Sequence, residues 1–154
     1  MKIFELLRDV LKDWLRQGEY TVWNMTDYEE NGFVTLTNNK ALYFVEAKKF
    51  LLDFSKMELK RPSRKVVDVC LADKSKSEII RFSHIEQPQD LEKLCVFTDF
   101  EGKKTEIAYN YLKYFDLNRI IIYEYRKDHP VLVYEPEDVT NEEVLRAIVM
   151  PFMR

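Results

Sequence analysis

The residues of this chain that could do chemistry by type are few and scattered. His84 and His129 stand in no recognisable pattern with a cysteine, a serine or each other. The cysteines, Cys70 and Cys95, lie inside apolar stretches with no partner at metal-ligand spacing, so they read as small buried hydrophobes kept reduced. Adjacent acidic pairs such as Glu29-Glu30 and Glu142-Glu143 point to opposite faces if they fall in strands, which suits solvated surface better than acid–base work. Three glycines in 154 residues leave no material for a phosphate-binding loop or a dinucleotide fingerprint. The expectation is a chain that is not an enzyme and holds neither cofactor nor metal.

Bulk composition agrees with a folded globular domain. Apolar residues make up 46% and charged residues 33%, with a net charge of −3, which is neither disordered nor membrane-spanning. No apolar run reaches the roughly 18 residues of a spanning helix, and the opening MKIFELLRDVLKDW interleaves acidic residues with its apolar ones, unlike a signal peptide. A cytoplasmic protein with no membrane partner is therefore expected.

The elements that must position any site follow from periodicity. Ile3, Leu6, Leu7, Val10, Leu11, Trp14 and Leu15 recur at helical spacing, with Gly18 at a C-cap position, so an amphipathic helix opens the chain. It packs on its own domain or docks on another subunit. Residues 19–32 are polar and aromatic, with Asn31-Gly32 as a turn signal. FVTLT and ALYFVEA then alternate around Asn38-Asn39-Lys40 as a hairpin. EAKKFLLDFSKM places Phe50, Leu51, Phe54 and Met57 on one helical face and Lys49, Lys56 and, if the helix extends that far, Lys60 on the other. KVVDVCLAD, EIIRFSHIE and KLCVFTDF read as three strands, with KTEIA feeding a short fourth. AYNYLKYFDL is a second helix that buries Tyr111, Leu112 and Phe115, and RIIIYEYR, PVLVYE and VLRAIVMPF are strands again.

Strand, helix and three strands, repeated, is an internal duplication. AYNYLKYFDLNRIIIYEY, HPVLVYEP and the closing AIVMPFMR resemble the last domain of the bacterial sliding clamp, the DNA polymerase III beta subunit, and ALYFVEAKKFLLDFSKM resembles the first strand and helix of that domain. The resemblance covers residues 42–154. It departs from the family pattern in that Arg154 stands one place late and Ala108 occupies the usual asparagine position. It implies an α+β, DNA-clamp-like domain of two βαβββ units with helices on one face of an antiparallel sheet, behind an N-terminal helix and hairpin extension over residues 1–41.

The same resemblance implies a non-enzymatic protein that takes short hydrophobic motifs of replication-type client proteins at its C-terminal strand. Ile148, Val149, Met150, Pro151 and Phe152 would form one wall, with Tyr111 and Val131 beside it. Lys49, Lys56 and Lys113 would face double-stranded DNA through phosphate contacts alone. The plainer alternative for the strand is that it only completes the sheet. For the whole chain the alternatives are a monomeric interaction or regulatory module that mimics a clamp, such as a mobile element would carry, or a small enzyme whose site would show as a deep pocket holding His84 or His129 beside a carboxylate.

Overall fold

The computed structural model describes residues 1–17, 21–25, 32–38, 40–50 and 64–153. Helix α1, Ile3–Gln17, is followed by strands β1, Thr21–Met25, β2, Phe33–Thr37, and β3, Ala41–Glu46. Helix α2, Arg64–Ala72, leads into β4, Glu78–Glu86, β5, Leu94–Thr98, and β6, Lys104–Ala108. Helix α3, Tyr109–Leu112, precedes β7, Ile121–Glu124, β8, Val131–Pro136, and β9, Glu143–Val149. The described order is thus a helix followed by a three-stranded meander, three times over. The meanders join edge to edge in one antiparallel sheet of order β1-β2-β3-β9-β8-β7-β4-β5-β6.

The sheet has apolar side chains on both faces, and each face needs a cover. On one face Val34, Leu36, Tyr43, Val45, Val131, Val133, Ala147, Val149 and Ile122 pack with Leu6, Leu7 and Val10 of α1 and with Leu112 of α3 and the Tyr114 and Phe115 that follow it. On the other, Phe33, Phe44, Leu132, Tyr134, Leu145 and Ile148 pack with Val67, Cys70 and Leu71 of α2. Alternation along the strands makes this division, since Leu132 and Val133 point to opposite sides.

Strand β4 bends the sheet. Its first residues pair with β7, and its later ones pair with β5 through a register shift between Phe82 and His84. An extra residue in one strand sharpens the local twist. The β4-β5-β6 meander accordingly swings over the α1 side, where Cys95, Phe97 and Ile107 join the same core as Val34 and Val149. Buried Thr105 on β6 donates to the buried Glu124 carboxylate on β7 at 2.6 Å.

Three expectations need correction. KVVDVCLAD is not a strand: residues 64–72 form α2, because Val67, Cys70 and Leu71 fall at helical spacing and cap the second face of the sheet. The described helices lie on both faces of the sheet, not on one. Residues 21–25, for which no element was predicted, form a strand. Strands β2 and β3 form a hairpin inside the sheet, and α1 shares a core with β8 and β9. Of the helix expected from Glu46 to Met57, the described part is a 3-10 turn over Ala47–Lys49 with Phe50 buried beyond it. The remainder, with Lys56 and Lys60, lies outside the described residues. The α+β class and the antiparallel sheet stand.

Candidate functional site

Strand β9 runs between β3 and β8, and its alternation decides what the C-terminal segment can offer. Val149 sits opposite Val131, and both are fully buried on the α1 side. Ile148 turns to the α2 side beside Leu132. All three residues are therefore core, and Ile148 faces away from the other two. Tyr111 is half-buried, and its carbonyl accepts the Tyr43 hydroxyl hydrogen at 2.8 Å.

Beyond β9 the chain continues as a tethered ribbon. The Met150 N–H donates to the Lys40 carbonyl at 2.8 Å, and the Phe152 N–H donates to the Glu106 carbonyl of β6 at 2.7 Å. Pro151 is buried between these two ties, which adds a fixed φ to the constraint. The side chains of Met150 and Met153 stay exposed, at 37% and 57%, with Phe152 half-buried between them. Sequence reading included Met150, Pro151 and Phe152 and missed Met153, which stands two places past the proline.

Neither described lysine of the expected DNA face projects freely. Lys49 lies 3.3 Å from the Glu46 carboxylate, which Lys48 approaches at 3.4 Å and Arg146 at 3.7 Å. Burial pushes the Glu46 carboxyl up, and the hydrogen bonds and charges of Lys49 and Lys48 outweigh it and hold it below the ordinary range. Lys113 reaches back to α1 and lies 3.0 Å from Asp9. Burial again opposes ionisation of Asp9, and the Tyr114 hydroxyl, Lys113 and Arg8 together lower its pKa. The glutamate and aspartate partners were visible in the sequence, but only folding brings them to these lysines.

Two constellations bear on the enzyme alternative. A cleft of about 60 Å³ between α2 and the β7–β8 turn is lined by Val69, Cys70, Asp73, Ser77, Tyr123, Tyr125, His129, Pro130 and Leu132. His129 Nδ1 lies 2.9 Å from Asp128 Oδ1 at its rim. The volume is well short of the roughly 300–1,000 Å³ of small-molecule sites. Burial and the charge of Asp73 push the Cys70 thiol up, so it is protonated at neutral pH and a poor nucleophile. At the β4 bulge, Ser83 Oγ lies 2.9 Å from His84 Nδ1, and His84 Nε2 lies 2.9 Å from Glu86 Oε1. Ser83 and His84 are both exposed. Among the described residues no group of three or more His, Cys, Asp or Glu is placed to hold a metal ion.

Helix α1 holds a second group of apolar residues, of which sequence reasoning named Leu11 and Leu15 and missed Phe4. Leu6, Leu7 and Val10 are buried, whereas Phe4, Leu11 and Leu15 are 74%, 37% and 70% exposed. The signal was present, because the apolar arc of this helix is wider than the face one core contact can cover.

Comparison with known protein families, with curated proteins and with solved structures returns no match. No described helix is long and apolar enough to cross a membrane.

Proposed function

We propose that this protein is a non-enzymatic interaction domain that takes a short hydrophobic motif of a client protein on its C-terminal segment, as a clamp mimic would, without encircling DNA. The observation that carries the reading is the tethered ribbon. Two backbone hydrogen bonds and a buried proline fix Met150 to Met153 in place, while the two methionine side chains remain open. A segment ordered in advance loses little entropy on binding, and methionine adapts its flexible side chain to varied apolar partners. Val131, Ile148 and Val149 support the ribbon from within the sheet. Pairing of Lys49 and Lys113 with Glu46 and Asp9 leaves these cations little free charge for phosphates.

The test is fluorescence anisotropy with labelled short peptides rich in leucine and phenylalanine, compared with a peptide in which those residues are serine. The expected result is saturable binding that Met150→Asp and Met153→Asp each weaken by about tenfold or more. Binding unaffected by both substitutions removes the ribbon as the site. A parallel titration of labelled duplex is expected to show no steep salt-dependent affinity; a strong inverse dependence on salt would restore the DNA reading.

A further inference from the structure

We infer that α1 forms an antiparallel, two-fold contact with a second copy of this chain. At 3.6 residues per turn, Phe4, Leu11 and Leu15 fall within about 20° of one line along the helix. That line runs beside the buried row of Leu6, Leu7 and Val10 and is open to solvent. Together the three side chains present on the order of 300 Å² of apolar surface, the size that marks a working patch on a monomer.

Charge selects the occupant and its direction. Glu5 stands in the first turn and Arg16 in the last, with Lys12 between them, and all three flank the apolar line on the same side. In an antiparallel pair centred between Asp9 and Val10, Phe4 faces the second copy's Leu15. Glu5 then falls between the second copy's Lys12 and Arg16, and the same pairing recurs across the two-fold axis. A parallel pair would set this flank against the side of the helix that already packs on its own core. Arg8, near the seam, has its guanidinium turned to Asp9 at 3.3 Å, which leaves its methylene stem to cover the second copy's Leu11. An isologous contact of this kind is self-complementary and closes at two copies. The two stripes together bury about 600 Å² of apolar surface, below the roughly 1,200 Å² of standard interfaces, so the contact is a weak one with a dissociation constant expected on the order of 10–100 µM.

The experiment is sedimentation equilibrium of the full chain from about 1 to 300 µM, a range that brackets that constant. The expected result is a monomer–dimer equilibrium. Phe4→Glu and Leu15→Glu each weaken it by about 100-fold, since a charge is then buried without a partner. Glu5→Lys weakens it by about tenfold, and Glu5→Lys combined with Lys12→Glu and Arg16→Glu restores it to within about threefold. These side chains are exposed, so circular dichroism melting of every variant is expected to match the parent and serves as the folding control. A monomer throughout the range overturns the proposal, as does a dimer indifferent to Phe4→Glu and Leu15→Glu. A monomer that co-sediments with vesicles containing phosphatidylserine, and loses this with Phe4→Glu, assigns the stripe to a lipid surface instead. The peptide titration of the C-terminal segment reads a different surface, so either proposal can fail alone.

Discussion

Asp9 Oδ2 accepts the Tyr114 hydroxyl hydrogen at 2.8 Å and lies 3.0 Å from Lys113 Nζ, so one carboxylate of α1 holds the α3 turn through two neighbouring side chains. The Lys2 N–H reinforces the contact by donating to the Tyr114 carbonyl at 2.7 Å. The first helix is thereby bound to the segment that precedes the last meander, more than 100 positions along the chain.

The Asp9 contact gives the fold an acid dependence. Because the folded-state pKa of Asp9 is lowered, its contribution is present above the unfolded carboxylate value of about 4 and is lost as pH falls through the lower folded value. Denaturant unfolding followed from pH 7 to pH 2 is expected to show Asp9→Asn removing part of the stability loss below pH 4. Tyr114→Phe, which deletes the hydroxyl and keeps the ring, is expected to cost about 1–2 kcal/mol at pH 7.

Packing on the α1 side predicts a sharp contrast between two apolar residues. Leu112 is fully buried among the strands and Phe100 is fully exposed in the β5–β6 turn. Leu112→Ala is expected to cost about 2–5 kcal/mol through the cavity it leaves. Phe100→Ala is expected within about 0.5 kcal/mol of the parent. Urea midpoints at constant slope measure both.

Glu135 is the hub of a partly buried ionic cluster. It accepts from the Met1 amino group and lies 3.2 Å from Arg146 Nε, and Arg146 is the bulged residue of β9 where the register with β8 shifts. Glu135→Ala leaves both cations without their shared partner, and a loss of about 1.5–3 kcal/mol is expected. Adding Arg146→Met to Glu135→Ala is expected to recover part of that loss, since Arg146 would otherwise keep only Glu46, at 3.7 Å, as a partner for a mostly buried charge. Additive losses in the double-mutant cycle would refute the coupling.

The two thiols should separate chemically. Burial pushes the Cys95 thiol up to about 11, whereas Cys70 is only half-buried. With a thiol reagent at pH 8 in native buffer, Cys70 is expected to react well ahead of Cys95, and both at once in denaturant. Stability carried by neutral Cys95 is full below the unfolded thiol value of about 8.5 and falls as pH rises toward 11.

Much of the framework was legible where local spacing and turn chemistry agree. The helix over 3–17, the hairpin around Asn38 and six of the strands in the second half follow from periodicity and short polar breaks. KVVDVCLAD misled because two valines and a short apolar run satisfy either period, and a short run alone does not separate strand from buried helix. The deciding fact was nonlocal: a sheet apolar on both faces needs a helix on its second face, and Val67, Cys70 and Leu71 supply it.

The candidate site divides in the same way. Residue types alone pointed to an apolar C-terminal strand, a proline that stiffens its end, and a first amphipathic helix that packs on its own domain or on another subunit. Sequence alone could not say that Val149 and Ile148 serve opposite cores, that Glu106 and Lys40 tether the ribbon, or that Asp9 and Glu46 take up Lys113 and Lys49. Spacing along the chain determines which side chains share a face, because helix and strand geometry repeat every few residues. Which faces meet, and which charges find each other, was decided by tertiary structure, since strand order and the bend at β4 bring together residues far apart in the chain.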